Sequence, residues 1–111
     1  MKPGSIALAQ VQQSDGRLKP RPVVILQEMP PFSDWLVCAV SSQLRQEFLG
    51  FDEIVHSADA DFKSSGLKVS SLIRLGLVAT IPRSAMLGEL GVISNARLAG
   101  LRFRLAKHIK G

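Results

Sequence analysis

The stretch GRLKPRPVVIL at residues 16–26 gives the clearest structural signal in this chain. Residues 23–26 form a continuous apolar, partly β-branched run that is too short for a helix and predicts a buried strand. Pro20 and Pro22 flank Arg21 at the start of that strand. Each proline fixes its own φ and favours extended backbone in the residue before it. Arg21 therefore has little backbone freedom. One interpretation is that the prolines aim its guanidinium at a ligand. The other is that they only block unwanted pairing at a strand edge.

Short apolar runs between turn signals predict further strands in the rest of the chain. The predicted strands cover residues 6–12, 23–26, 35–40, 54–56, 71–75 and 78–81. Gly76 interrupts the last two runs and indicates a bulge or a bend.

The hydrophobic period changes near the C-terminus, where one helix is predicted. Apolar residues at three- and four-residue spacing form one helix face, which we expect to cover the strands. This face consists of Leu98, Leu101, Leu105 and Ile109. Ser94 is suited to the N-cap position. Together the elements predict a mainly β fold, a small barrel closed by a C-terminal helix, in a single domain over residues 1–111.

The composition is that of a globular domain without a covalent cross-link. Of the 111 residues, 46% are hydrophobic and 21% are charged, which is enough apolar material for a core. Cys38 is the only cysteine, so an intrachain disulfide is excluded, and its apolar surroundings indicate a core thiol. Apolar runs are too short to span a membrane and residues 1–13 lack a signal-peptide core. We therefore expect a cytoplasmic protein with no membrane association.

The charge of the chain is unevenly distributed. The net charge is +5, yet residues 62–111 carry nine basic residues against Glu89 alone, a net +8, while residues 1–61 carry five basic and eight acidic residues, a net −3. This asymmetry favours a polyanion or an acidic protein as partner, with residues 62–111 lining or flanking the binding groove. The alternative is that these charges lie on a solvent-exposed helix face and only keep the protein soluble.

Several polar side chains interrupt or follow the predicted strands. Ser41 and Gln43 lie at the end of the third strand, where hydroxyl and amide groups can hold a ligand or satisfy a turn. Arg74 interrupts the apolar run at residues 71–75, and it either shares a face with Leu72 or points outward at an edge.

Histidines and aromatic residues give weaker signals. His56 and His108 fit no metal-ligand spacing, so we expect neither a metal nor a cofactor. His56 is a candidate general base, since an unperturbed imidazole titrates near neutrality, although a structural role is the alternative. Phe32 and Trp35 flank a loop where an aromatic ring can stack on a base, while Trp35 also fits a core position.

Four segments of the chain, taken in order, resemble the PemK/MazF family of toxin endoribonucleases. They are PGSIALAQV (3–11), SDGRLKPRPVVIL (14–26), WLVCAVSSQL (35–44) and LKVSSLIRLGLVATI (67–81). The most specific piece is a basic–x–Arg–Pro–aliphatic motif, which Lys19, Arg21 and Pro22 meet. Ser5 and Gly76 depart from the family pattern, because acidic residues are usual at both positions.

The resemblance implies an SH3-like barrel with a C-terminal helix, usually assembled as a homodimer. It implies cleavage of single-stranded RNA without a metal, and neutralisation by an antitoxin whose acidic, flexible segment covers the active groove. It also implies that three residues are catalytic, namely Arg21, Ser41 and Arg74. We expect neighbouring polar residues to bind the RNA, namely Arg17, Lys19 and Gln43.

Two other functions are compatible with the same sequence. One is a catalytically impaired PemK-like regulator that binds RNA or an antitoxin, which the absence of an acidic residue at Gly76 favours. The other is an SH3-like protein-interaction module without a role in RNA metabolism, because a fold alone does not determine a function.

Overall fold

The computed structural model describes residues 1–111 and contains one antiparallel sheet and two helices. The strands are β1 (Ser5–Gln12), β2 (Leu18–Met29), β3 (Asp34–Ser41), β4 (Glu53–Val55), β5 (Ser71–Ile81) and β6 (Met86–Val92). The helices are α1 (Phe62–Ser65) and α2 (Asn95–Lys110). The strand order is β4-β5-β3-β2-β1-β6. The prediction of a mainly β fold with a C-terminal helix is confirmed.

The sheet does not close into a barrel, which corrects the sequence-based expectation. The edge strands β4 and β6 do not pair with each other, because α1 lies against β6 instead. The hydroxyl of Ser64 donates to the carbonyl oxygen of Val92 at 3.1 Å. Gly91 permits this approach, since a Cβ at that position would lie 2.2 Å from the Ser64 carbonyl oxygen. The short helix thus covers an edge that barrel closure would need.

Two apolar layers form the core, one on each face of the sheet. The layer beneath α2 includes Ile6, Val24, Cys38, Ile73 and Leu101. The opposite layer consists of Ala7, Ala9, Val23, Ile25, Trp35 and Val37. Successive residues of a strand point to opposite faces. A continuous apolar run such as residues 23–26 is therefore required wherever both faces are buried.

The observed elements differ from the predicted ones mainly in length. The first, third and fourth strands are found close to their predicted bounds, whereas β2 begins at Leu18 and includes both prolines. The two last predicted strands form one strand, β5. Its bulge is confirmed, because Ala39 pairs with Arg74 while the preceding Cys38 pairs with Val78, leaving residues 75–77 without partners on β3. The strand β6 and the helix α1 were not predicted.

Helix α2 follows the sequence prediction except at its last turn. The hydroxyl of Ser94 accepts a hydrogen bond from the Arg97 N–H at 3.1 Å, which confirms the N-cap. Leu98 and Leu101 are buried, but Ile109 is 75% exposed because the last turn extends beyond the apolar layer. The expectation that Ile109 covers the sheet is therefore wrong. Neither helix of the chain is long and apolar enough to cross a lipid bilayer.

Alanine substitutions at two apolar residues of α2 test this placement. Leu101→Ala should lower the free energy of unfolding by about 2–5 kcal/mol, because it removes a fully buried side chain from the core. Ile109→Ala should change it by less than about 0.5 kcal/mol, as expected for an exposed residue. Urea denaturation measures both. Equal losses in the two variants would contradict the observed packing of α2.

Candidate functional site

Arg21, Ser41 and Arg74 project from one face of the sheet, on three adjacent strands. Val23 of β2 pairs with Ala39 of β3, and Ala39 pairs with Arg74 of β5, so these three side chains share a face. Arg21 lies two residues before Val23, and Ser41 lies two residues after Ala39. By strand alternation both belong to the same face. Val23 is part of the apolar layer opposite α2, so this is the face that the long helix leaves uncovered.

The ladder between β2 and β3 stops beside Arg21. It begins only at Val23, although the register places Arg21 level with Ser41. Pro20 and Pro22 pair with β1 on the other side of β2. They lack the N–H groups that a further ladder would use. The prolines thus end strand pairing, as one of the two interpretations expects, and Arg21 lies in extended backbone beside an unpaired strand edge. That they aim Arg21 at a ligand stays a prediction.

The two arginines of this face carry uncompensated positive charge. The guanidinium of Arg21 is exposed and donates only to the amide oxygen of Gln13, at 3.4 Å. Arg74 is half-buried and donates to the amide oxygen of Gln46, also at 3.4 Å. Neither forms an ion pair with a carboxylate. Their charges are thus available to an anion.

The hydroxyl group of Ser41 is oriented by its own loop. Its oxygen accepts a hydrogen bond from the Gln43 N–H at 3.0 Å. A serine hydroxyl can accept and donate at the same time, so its hydrogen is still free to donate. The side chain of Gln43 itself is exposed where the chain leaves β3.

Two further cations extend this surface toward the turn between β1 and β2. Lys19 lies two residues before Arg21 on β2, hence on the same face, and is exposed. Arg17 is exposed in the preceding turn, where its backbone N–H donates to the Asp15 carboxylate at 2.9 Å. The side chains of Arg17 and Lys19 form no ion pair. Together with Arg21 they form a cationic strip along the start of β2.

The C-terminal charge excess is partly neutralised within the fold, because Arg83, Arg97 and Arg104 form ion pairs with carboxylates. Arg97 on α2 uses all five of its N–H donors, at 2.8–3.1 Å. Its partners are the carboxylates of Glu53, Asp59 and Asp61 and the carbonyl oxygen of Ile54. Arg104 donates to Glu53 at 2.6 Å. This cluster attaches α2 to the segment around β4 and has a structural role.

The Arg97 cluster should make stability depend on pH in the acid range. Hydrogen bonds from Arg97 are the main reason that the pKa of Asp61 is lowered to about 2. Because the folded pKa lies below the unfolded value, this stabilisation of about 2 kcal/mol is complete above about pH 4 and disappears as the pH falls through about 2. Denaturation curves measured across this range should show the fall. Asp61→Asn should flatten the profile, whereas Asp15→Asn, at an exposed carboxylate, should leave it unchanged; identical profiles in all three proteins would contradict the assignment.

The remaining candidates separate into core and surface positions. Trp35 is buried beneath the guanidinium of Arg83, 4.0 Å from the ring centroid, so it belongs to the core. Burial raises the pKa of Cys38 to about 12, which agrees with a core thiol. His108 on α2 packs against Phe51, with ring centroids 4.9 Å apart. It therefore lies away from the face that carries Arg21, Ser41 and Arg74, called the Arg21 face below. His56 is exposed after β4.

Three residues of this region are not indicated as functional by the sequence. Gln13 and Gln46 contact the two arginines. Asp52 accepts hydrogen bonds from the N–H groups of Phe48 and Leu75, both at 2.9 Å. An aspartate in the turn-like stretch LGFDE was a possible signal for an Asx turn, whereas nothing local distinguishes either glutamine.

Comparison with known proteins gives a consistent result. The family model of PemK-like, MazF-like toxins of type II toxin–antitoxin systems matches residues 2–109. The Mycobacterium tuberculosis toxin MazF-mt6 has a similar structure, with a TM-score of 0.70 and 19% identity over 96% of each chain. An endoribonuclease in complex with its cognate antitoxin, from a mycobacterial species, has a TM-score of 0.72 at 10% identity over 99% of this chain and 95% of that one.

The two kinds of similarity carry different weight. No curated protein sequence matches this one significantly. At identities of 19% and 10%, the two structures show that the fold is shared. The family model covers nearly the whole chain, including every residue of the Arg21 face. The chain therefore belongs to the PemK-like, MazF-like toxins of type II toxin–antitoxin systems.

Proposed function

We propose that this protein is a toxin that cleaves single-stranded RNA, including messenger RNA, and is neutralised by an acidic antitoxin. Its family supports this, as do the two similar structures, a MazF toxin and an endoribonuclease bound to its antitoxin. The observation that carries the proposal is the common face of Arg21, Ser41 and Arg74. It combines two guanidinium groups without carboxylate partners and one hydroxyl with a free hydrogen.

The proposed reaction uses the 2′-hydroxyl of the RNA as nucleophile. Its oxygen bonds to the adjacent phosphorus while the bond to the 5′ oxygen breaks, giving a 2′,3′-cyclic phosphate and a 5′-hydroxyl. Negative charge on the phosphoryl oxygens increases in the transition state, and the two-pronged guanidinium of Arg21 is suited to stabilise it. Ser41 donates a hydrogen bond to a phosphoryl oxygen or positions the 2′-hydroxyl. Arg74 provides a second cation from the neighbouring strand.

Proton transfer requires a separate group. The 2′-hydroxyl must lose a proton and the leaving 5′ oxygen must gain one, whereas arginine stays protonated in proteins and is unsuited as a base. His56 is the remaining histidine candidate, because His108 packs against Phe51 from α2. We propose that the reaction needs neither a metal nor a cofactor.

The proposed partners fit the charges around this face. Arg17, Lys19 and Gln43 would contact the RNA on either side of the scissile phosphate, since all three are exposed beside Arg21 or Ser41. An acidic antitoxin segment would compete with the RNA for the same cations. We further propose that the protein forms a homodimer and acts on messenger RNA in the cytoplasm.

Cleavage of a long unstructured RNA in the presence of EDTA tests this proposal. We expect strand breaks that persist at high EDTA concentrations and carry 5′-hydroxyl ends. RNA binding without cleavage by a folded protein would instead support the catalytically impaired regulator. A folded protein that neither binds nor cleaves RNA would favour the protein-interaction module.

The salt dependence of RNA binding gives a second test. Each phosphate neutralised on a single strand contributes a log–log slope of about −0.7, so three or four contacts give about −2 to −3. Arg74→Gln should reduce the slope by about one contact, measured with an RNA whose 2′-O-methyl groups prevent cleavage. Arg102→Gln is the matched control, because Arg102 donates to the Leu26 carbonyl from α2 on the opposite face. Equal slopes for wild type and Arg74→Gln would contradict a phosphate contact at Arg74.

A further inference from the structure

The loop between β3 and β4, residues 42–52, exposes two large apolar side chains beside the candidate site. Phe48 is 71% exposed and Leu49 is 81% exposed. They lie at the tip of a tight turn, in which the Phe48 carbonyl oxygen accepts from the N–H groups of Phe51 and Asp52 at 3.1 and 3.0 Å. Gly50, with a φ of 81°, permits this turn. The exposed ring is thus presented by a compact loop.

The loop is attached to β5 immediately beside Arg74. One carboxylate oxygen of Asp52 accepts from the Phe48 N–H, and the other accepts from the N–H of Leu75, the residue that follows Arg74. Gln46 accepts the hydrogen bond from the Arg74 guanidinium. Two contacts therefore tie the backbone that carries Phe48 to the strand that carries Arg74. The backbone at Phe48 therefore has little conformational freedom to lose when a ligand binds.

The surroundings of Phe48 favour a nucleobase over an apolar protein surface. The same loop carries exposed Arg45 and Gln46 and the partly buried Glu47, and it begins directly after Ser41. Single-stranded nucleic acids stack their bases on exposed aromatic rings beside groups that bind the backbone, and Gln46 of this loop contacts Arg74. The other two highly exposed phenylalanines lie elsewhere: Phe32 is in the turn between β2 and β3, and Phe103 is on α2.

We infer that residues 42–52 form a base-binding subsite in which the Phe48 ring stacks on an unpaired base of the RNA whose phosphate contacts Arg74. The inference deepens the proposed function and rests on it. Arg45 adds a cation for a neighbouring phosphate. Asp52 is a positioning residue, because it fixes the loop without facing the ligand. Stacking discriminates weakly between bases, so this subsite contributes affinity and register more than sequence preference.

Binding of a 2′-O-methyl single-stranded RNA to the 111-residue protein tests the subsite. Phe48→Ala should weaken binding about tenfold, equivalent to about 1.4 kcal/mol. Phe103→Ala, the matched control on α2, should leave affinity unchanged, and thermal unfolding should be similar in both variants because both rings are exposed. Phe48→Trp should keep the affinity, whereas Phe48→Leu, which retains apolar area without an aromatic face, should lose it.

An abasic RNA separates stacking from other effects. If the ring contacts a base, the penalty of Phe48→Ala should disappear on an oligonucleotide that lacks bases at the bound positions. A penalty that persists on abasic RNA, or full affinity in Phe48→Leu, would overturn the inference. Unchanged RNA binding in Phe48→Ala together with loss of a homodimer or of antitoxin binding would overturn it in favour of a protein contact. If the wild type itself binds no RNA, the proposed function fails together with the subsite.

Discussion

Arg21→Lys is expected to lose RNA cleavage by at least about 100-fold while the protein stays folded. Lysine retains the charge but presents it as a point, whereas a guanidinium donates two parallel hydrogen bonds to a pair of phosphoryl oxygens. The native side chain is exposed, and its one hydrogen bond, to Gln13, is long at 3.4 Å. The substitution should therefore have little effect on stability, and single-turnover cleavage measures its effect on the reaction.

Arg102→Lys is the matched control for this prediction. Arg102 lies on α2 and donates to the carbonyl oxygen of Leu26 and the side chain of Gln27, away from the Arg21 face. Its cleavage rate should equal that of the wild type. A near-wild-type rate in Arg21→Lys, or similar losses in both variants, would remove Arg21 from the proposed mechanism.

Arg97→Met is expected to destabilise the fold by about 3–4 kcal/mol. The substitution keeps much of the side-chain volume but leaves the carboxylate of Asp61, whose side chain is only 9% exposed, without its cation. Glu53 and Asp59 are more accessible and can regain water, so Asp61 should account for most of the loss. Chemical denaturation near neutral pH measures the change.

The partner variant Asp61→Asn separates the lost ion pair from other effects of the substitution. In the double variant with Arg97→Met, the total loss should be smaller than the sum of the two single losses, because no charge is left buried. Arg102→Met should cost much less, since Arg102 forms no ion pair. Strict additivity of Arg97→Met and Asp61→Asn would show that the cluster does not act as a unit.

The sequence was most informative where structure follows from neighbouring residues. Residues 23–26 had to be a buried strand, and Ser94 with the leucine spacing after it defined α2. The strand β6 escaped because its pattern is irregular: Leu87 and Leu90 are exposed, and its pairing with β1 shifts register twice. Burial on a bulged edge strand does not follow a period of two, so no local pattern indicates it.

The candidate site was predictable only in part, because several of its contacts join residues that are far apart in the sequence. The two prolines around Arg21 lie next to it in the sequence. The contact between Arg74 and Gln46 joins residues 28 positions apart, and that between Asp61 and Arg97 joins residues 36 apart. Charge counts along the chain could not show that Arg97 is neutralised within the fold. The catalytic roles of Arg21, Ser41 and Arg74 stay predictions.

In the proposed function, RNA binds the face of the sheet that α2 leaves uncovered. Backbone amide chemical shifts during titration with a 2′-O-methyl single-stranded RNA test it most directly, because they locate the bound RNA on the protein. We predict shifts at Lys19, Arg21, Ser41 and Arg74, with α2 largely unaffected. Shifts confined to α2, with none at Lys19, Arg21, Ser41 or Arg74, would contradict RNA binding to this face.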